Sequence, residues 1–162
     1  MIDKKTNYLN LIENLNNLLE FDHFEVSILA NSSALLKQML KDVNWVGFYI
    51  LFNDELYLGP FQGKVACSTI RVGYGVCGTC VEKRIPIVVP DVHQFPGHIP
   101  CDENTKSEIV IPIFVQGKLY GVLDLDSKKP NRFTSIDLRF LEQVAVVISK
   151  HLEREAMQLR NL

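Results

Sequence analysis

At 162 residues, 47% of them hydrophobic and 22% charged, the chain has the length of one globular domain and lies far from the polar, highly charged compositions that stay disordered. Its 17 Lys and Arg against 19 Asp and Glu leave a net charge of −2, which removes the counterion-release drive on which nucleic-acid binding depends. No apolar run approaches the roughly 20 residues that cross a bilayer, and the N-terminus leads into a helix-period segment instead of an apolar signal core, so a cytoplasmic protein with no membrane partner is expected. In a reducing compartment its four cysteines point to metal binding or thiol chemistry over structural disulfides.

In chain order, Tyr8, Leu9, Leu11, Ile12, Leu15, Leu18 and Leu19 recur at helical spacing over 6–20. A second helical stretch follows over 24–41, with an Asn-Ser-Ser interruption near its middle that argues against continuity. Short aromatic and β-branched runs then predict strands at about 45–52, 55–62, 65–70, 86–89, 107–116 and 119–127, with a short helix at about 76–84. A final amphipathic helix spans Thr134 to about Met157, with Thr134 and Asp137 as its N-terminal cap. Helices bracketing a run of strands predict an α+β domain: a mostly antiparallel sheet, the terminal helices on one face and the other face free for a ligand. The Pro- and His-bearing connection from 89 to 107 is long enough to expect a functional loop.

Three motifs compete for the chemistry. Gly73, Gly75 and Gly78 have the outline of a dinucleotide-binding turn, but the following helix is short and the strands do not alternate with helices as a doubly wound sheet requires. The plain reading is a turn that lets backbone approach something closely. Cys77, Cys80, His93 and His98 match zinc-finger spacing, yet Pro96 and Gly97 lie between the histidines, so no helix can present them. A non-finger zinc site from Cys77, Cys80, His98 and Cys101 is the remaining metal reading. Cys77 and Cys80 also form a C-x-x-C pair at a helix N-terminus, where the dipole favours a thiolate. Cys101, in a Gly97-to-Asp102 loop beside His98, is expected to be exposed. Cys67 reads equally as a small buried strand residue or a redox thiol.

The acids are more specific. Asp124 and Asp126 alternate along a strand and share one face. With a three-residue hairpin loop at 116–118, Glu108 falls opposite Asp126 on that face; a two-residue loop without a bulge would turn it away. Three acids so close repel one another and invite a cation or an ammonium, although a solvated sheet face is the ordinary reading. Trp45, Gly47 and Tyr49 also share a face, and the glycine between the rings suggests room for a ligand.

Taken together, Trp45-Val-Gly-Phe-Tyr49, Ala66-Cys67, Gly75-Val-Cys77-Gly-Thr79, Asp91-Val-His93, Gly97-His98-Ile-Pro-Cys101-Asp102, Ser107-Glu108-Ile-Val and Gly121-Val-Leu-Asp124-Leu-Asp126-Ser127 resemble the free methionine-(R)-sulfoxide reductases, enzymes built on a single GAF domain. Cys80 departs from the family's more usual small residue. The resemblance implies one GAF domain over 1–162, with N-terminal helices at about 3–41, sheet and pocket at about 45–127 and a last helix at about 134–157. It implies Cys101 as nucleophile and Cys77 and Cys67 as the other redox thiols. Which of these two resolves the sulfenic acid stays open, as does an exchange of roles between Cys77 and Cys101. Glu108, Asp124 and Asp126 would hold the substrate ammonium, and one of them, protonated, would donate to the sulfoxide oxygen. Backbone N–H groups of 97–101 would hold the substrate carboxylate, and Trp45 and Tyr49 would pack on the S-methyl end. No cofactor is implied; thioredoxin would recycle the disulfide, and a homodimer is expected. The alternative is a non-catalytic GAF module that senses a small ligand or redox state.

Overall fold

The computed structural model describes residues 2–159. Helix α1 (Lys4–Leu19) starts at Asp3, whose carboxylate accepts the Thr6 N–H at 3.1 Å, and it buries Tyr8, Leu11, Leu15 and Leu19 along one stripe. Helix α2 (Glu25–Met39) fills the helical stretch read over 24–41 and runs without a break through Asn31-Ser32-Ser33, where the sequence weakens the helical pattern. The reason is local: Ser32 Oγ donates to the Ile28 carbonyl at 2.6 Å and Ser33 Oγ to the Ala30 carbonyl at 2.8 Å. Both buried hydroxyls are thereby satisfied inside the helix.

The strands are β1 (Trp45–Phe52), β2 (Glu55–Gln62), β3 (Thr69–Arg71), β4 (Ile87–Val89), β5 (Ser107–Val115) and β6 (Lys118–Ser127), with helix α3 (Gly75–Lys83) between β3 and β4 and helix α4 (Ser135–Leu159) at the end. They form one six-stranded sheet in the order β3-β2-β1-β6-β5-β4, antiparallel throughout. This is the expected α+β arrangement. The strand expected over 65–70 contracts to Thr69–Arg71, because residues 64–68 lift off the sheet as an irregular segment with Val65 exposed. No helix among the described residues is long and apolar enough to cross a membrane.

The sheet is buried on both faces by period-two alternation. Ile109, Ile111, Ile113, Leu123 and Leu125 face α1, α2 and α4 in the larger core. Val110 and Val122 face the other way, into a smaller core with Trp45, Tyr49, Ile70 and Val76. That second face carries the expected ligand pocket, roofed by α3 and by the segments around 64–68 and 90–106. α4 is anchored at its start by Asp137, which accepts the Thr134 N–H at 2.7 Å, the Thr134 hydroxyl, the Tyr8 hydroxyl and the Arg132 guanidinium, and pairs with Lys4. The cap read from sequence is therefore also the node that ties α1 to α4.

The register of β5 on β6 places the acids. Val115 pairs with Lys118 across a two-residue turn, Gln116-Gly117, whose φ values of 52° and 74° are those of a hairpin turn of the primed kind. The loop is one residue shorter than expected. Between Ile113–Gly121 and Phe114–Leu119 the pairing shifts by one, with Tyr120 as the extra residue of a bulge. The bulge restores the lost residue, so Glu108 still pairs with Asp126 and Val110 with Asp124.

Candidate active site

Trp45 and Tyr49 point from β1 into the second face and both line the pocket there, as expected, with the rings also packed against their neighbours. The indole stacks between Phe61 at 5.3 Å and Tyr49 at 6.0 Å. A Cβ on Gly47 would stand 2.4 Å from the Trp45 ring and 2.5 Å from Phe61, so the room the glycine leaves is filled by the indole itself. The polar tips do the positioning: Trp45 Nε1 donates to the Lys64 carbonyl at 3.0 Å and the Tyr49 hydroxyl to the Cys67 carbonyl at 2.9 Å. Two buried rings thus hold down the irregular segment that carries Cys67.

Cys67 is half-buried in that segment, not in a strand, and it is joined to Cys101 by a disulfide with a Cα–Cα distance of 5.7 Å across 34 residues of sequence. Cys101 is exposed in the 90–106 roof, as expected. The disulfide therefore staples the two roof segments together over the pocket. Cys77 and Cys80 remain free and buried.

α3 reaches the pocket through its glycines. A Cβ on Gly78 would lie 2.5 Å from the Arg71 carbonyl oxygen, and Gly73 N–H donates to the Gly78 carbonyl at 2.9 Å. The glycine motif is a close-approach turn that seats a short helix against the end of β3. It brings Cys77 Sγ to 4.0 Å from Glu108 Oε1. Burial first, and then repulsion from Asp124, Glu108 and Asp126, push this thiol well above its ordinary range. The thiolate expected from the helix dipole does not arise, because a dipole's fractional charge is outweighed by desolvation and neighbouring acids. Cys80 turns away, its Sγ 3.8 Å from the Val110 carbonyl, with its pKa pushed up to about 12, mainly by burial.

Glu108 and Asp124 are buried and Asp126 is half-buried, all on the pocket face. Burial raises all three; Asp124 adds to the rise of Glu108 and of Asp126, and Asp124 itself reaches about 6, burial raising it while the neighbouring Glu108 carboxyl and Cys77 thiol hold it down. At neutral pH the cluster keeps at least one proton. That gives it both the negative charge that attracts an ammonium and an acid O–H that can be donated.

The pocket encloses about 540 Å³ of empty space counted out to solvent. Its lining includes residues that sequence reasoning missed: Ala66, Ile99 and Thr105. Thr105 Oγ1 is buried without a hydrogen-bond partner, as is Asp124 Oδ1. Thr105 sits in irregular chain, where no periodicity marks a direction. His98 is brought to 3.8 Å from Glu108 Oε2, and burial holds its imidazole below the usual histidine range. The zinc set Cys77, Cys80, His98 and Cys101 is not assembled, because Cys101 is bonded to Cys67 and Cys80 faces the β5 backbone. Of the finger histidines, His93 lies on the surface beside Asp91.

The GAF domain family model matches residues 10–152. A free methionine-R-sulfoxide reductase of Escherichia coli is 46% identical over 151 residues, covering 93% of this chain and 92% of that protein. The free methionine-R-sulfoxide reductase of Neisseria meningitidis, solved in complex with its substrate, superposes with a TM-score of 0.93 at 37% identity, covering 98% of this chain and 95% of that one. The reduced form of the Staphylococcus aureus protein superposes at 0.88 with 50% identity, covering 94% and 99%.

Proposed function

Since the chain belongs to the GAF-domain family and, within it, to the free methionine-R-sulfoxide reductases, we propose that it reduces free methionine-(R)-sulfoxide to methionine through Cys101, with Cys67 as resolving thiol. The observation that carries this reading is the Cys67–Cys101 disulfide lying over a pocket floored by Glu108, Asp124 and Asp126. A disulfide at the mouth and a proton-holding acid cluster below it are the two halves that sulfoxide reduction needs.

The substrate ammonium sits on the ionised part of the acid cluster, and of the backbone N–H groups of 97–101 those of Gly97 and Ile99 are left to receive its carboxylate, since His98 and Cys101 donate to the Phe95 and Ile99 carbonyls and Pro100 has no N–H. In the reduced enzyme, the Cys101 thiolate attacks the sulfoxide sulfur while a protonated acid of the cluster donates to the sulfoxide oxygen. The attack joins Cys101 sulfur to the substrate sulfur and the donated proton makes the oxygen a hydroxyl; that hydroxyl then passes to the Cys101 sulfur as the S–O bond and the new S–S bond break, so that methionine leaves with its sulfur reduced by two electrons and Cys101 is left as the sulfenic acid. The Cys67 thiol then attacks Cys101, water leaves, and the disulfide forms. The choice of Cys67 over Cys77 as resolving thiol is supported by the pairing itself and by the depth of Cys77, whose raised pKa leaves little thiolate to attack with. A dithiol reductant of the thioredoxin class returns the pair to thiols, and no bound cofactor enters. A peptide-bound sulfoxide lacks the free ammonium and carboxylate, so it forfeits both anchors.

A coupled assay comparing free R-sulfoxide, free S-sulfoxide and a peptide-bound sulfoxide, with thioredoxin and its reductase as electron source, tests the reading. Turnover confined to the free R form and abolished in Cys101→Ser is expected. A fully active Cys101→Ser enzyme, or equal turnover of the peptide-bound form, would refute it.

A further inference from the structure

The floor of the pocket presents a donor set that an ammonium does not use in full. Cys77 Sγ and one carboxylate oxygen each of Glu108 and Asp124 all lie within 4.8 Å of one another, and all three residues are buried. A tetrahedral zinc ion with sulfur at about 2.3 Å and oxygens near 2.0 Å spaces its donors roughly 3.3–3.6 Å apart. The Sγ–Oε1 separation of 4.0 Å closes to that value with side-chain shifts below about 1 Å. A second observation also points to a ligand. Asp124 Oδ1 is buried with no hydrogen-bond partner, on a residue only 5% exposed, and native proteins rarely leave such an oxygen unmatched. His98 Nε2, 3.8 Å from Glu108 Oε2, stands where an outer partner would orient a ligating carboxylate.

We propose that Cys77, Glu108 and Asp124 bind a thiophilic divalent cation, zinc above all, and that the bound ion shuts the pocket to substrate. The donors select the class: one sulfur and two carboxylate oxygens suit a borderline-soft ion, whereas calcium and magnesium require more oxygens and gain nothing from a thiol. On binding, one metal–sulfur and two metal–oxygen bonds form, and the thiol proton and the protons held by the acids pass to solvent. No electron is transferred. The site rests on geometry alone, whereas the inhibition rests on the reading that the substrate ammonium occupies the same acids.

The oxidised protein tests the site cleanly, because Cys67 and Cys101 are tied up in their disulfide and only Cys77 and Cys80 can ligate. Titration with cobalt(II), a spectroscopic stand-in for zinc, should produce a thiolate-to-cobalt absorption band saturating at one ion per chain and bleached by added zinc. The band should vanish in Cys77→Ser, persist in Cys80→Ala and need about tenfold more cobalt or beyond in Asp124→Asn. No band in the wild-type protein, or a band that survives in Cys77→Ser while circular dichroism shows a native fold, overturns the site. The inhibition is read by calorimetry on a Cys67→Ser/Cys101→Ser variant, which cannot turn substrate over. Saturating zinc should weaken its binding of free methionine sulfoxide at least about tenfold, and binding unaltered by zinc overturns the inhibition. Absence of binding to the metal-free variant would instead overturn the reductase reading, so the two failures are distinguishable.

Discussion

Replacing Asp124 with Asn removes one charge from the acid floor at almost constant volume and separates its electrostatic cost from its chemical use. Asp124 moves from 3.8 to about 6 on folding, chiefly through burial. Between those values the folded chain holds a proton that the unfolded chain has released, so stability is fully present below about pH 4 and falls as pH rises through about 6. A displacement of about 2 on the pH scale, at roughly 1.4 kcal/mol per pH unit, amounts to about 3 kcal/mol. The residue is 5% exposed, so solvent screens little of this. In Asp124→Asn that loss disappears, and Glu108 and Asp126 are relieved of the repulsion Asp124 exerts on them. Urea unfolding of the oxidised protein, followed through the single tryptophan, Trp45, at about pH 4, 6 and 8, should show the wild type losing about 3 kcal/mol more than the variant. The same variant should bind free methionine sulfoxide more weakly by about 1.5–3 kcal/mol, the worth of a charge-assisted hydrogen bond. Wild type and variant losing stability in parallel from pH 4 to pH 8 would refute the account of the acid cluster.

Two further outcomes follow from other parts of the molecule. Cys67→Ser should release one methionine per chain in a single-turnover experiment and then stall, with Cys101 trapped as sulfenic acid and detectable by a dimedone-type probe; sustained thioredoxin-dependent turnover would assign resolution to another thiol. Asp137→Asn should lower stability by about 3–5 kcal/mol, the usual loss when one member of a buried ion-pair network is removed, since Asp137 is 0% exposed and bonded to Lys4, Tyr8, Arg132 and Thr134; thermal denaturation within a degree or two of wild type would contradict its role as the α1–α4 node.

The legible parts of this chain are those in which side-chain period is set by burial. The stripe of Tyr8, Leu11, Leu15 and Leu19 and the alternation of Asp124 and Asp126 against Leu123 and Leu125 follow directly from helix and strand geometry. Where the sequence misled, a nearby group had met a need that composition cannot express. Ser32 and Ser33 look like a helix break until their hydroxyls find carbonyls within the same helix. Residues 65–68 have strand composition, but Trp45 and Tyr49 take hold of the Lys64 and Cys67 carbonyls and keep the segment over the pocket instead of in the sheet. The Cys67–Cys101 pairing spans 34 residues between two irregular segments, and spacing carries no information about such a contact. Thr105 enters the site by the same route and was invisible for the same reason.

The bulge at Tyr120 has an evolutionary consequence. Glu108 shares a face with Asp124 and Asp126 only because a short turn and an extra strand residue offset each other. Removing any one residue between 109 and 123 without moving or dissolving the bulge would turn Glu108 toward α4 and bring isoleucines into the pocket. Amino-acid exchanges within this hairpin leave the count untouched. Lineages descended from this chain should therefore tolerate substitutions at Phe114, Gln116 or Lys118 far more readily than an insertion or deletion there, and the gain or loss of a residue in the turn should coincide with a compensating change at the bulge.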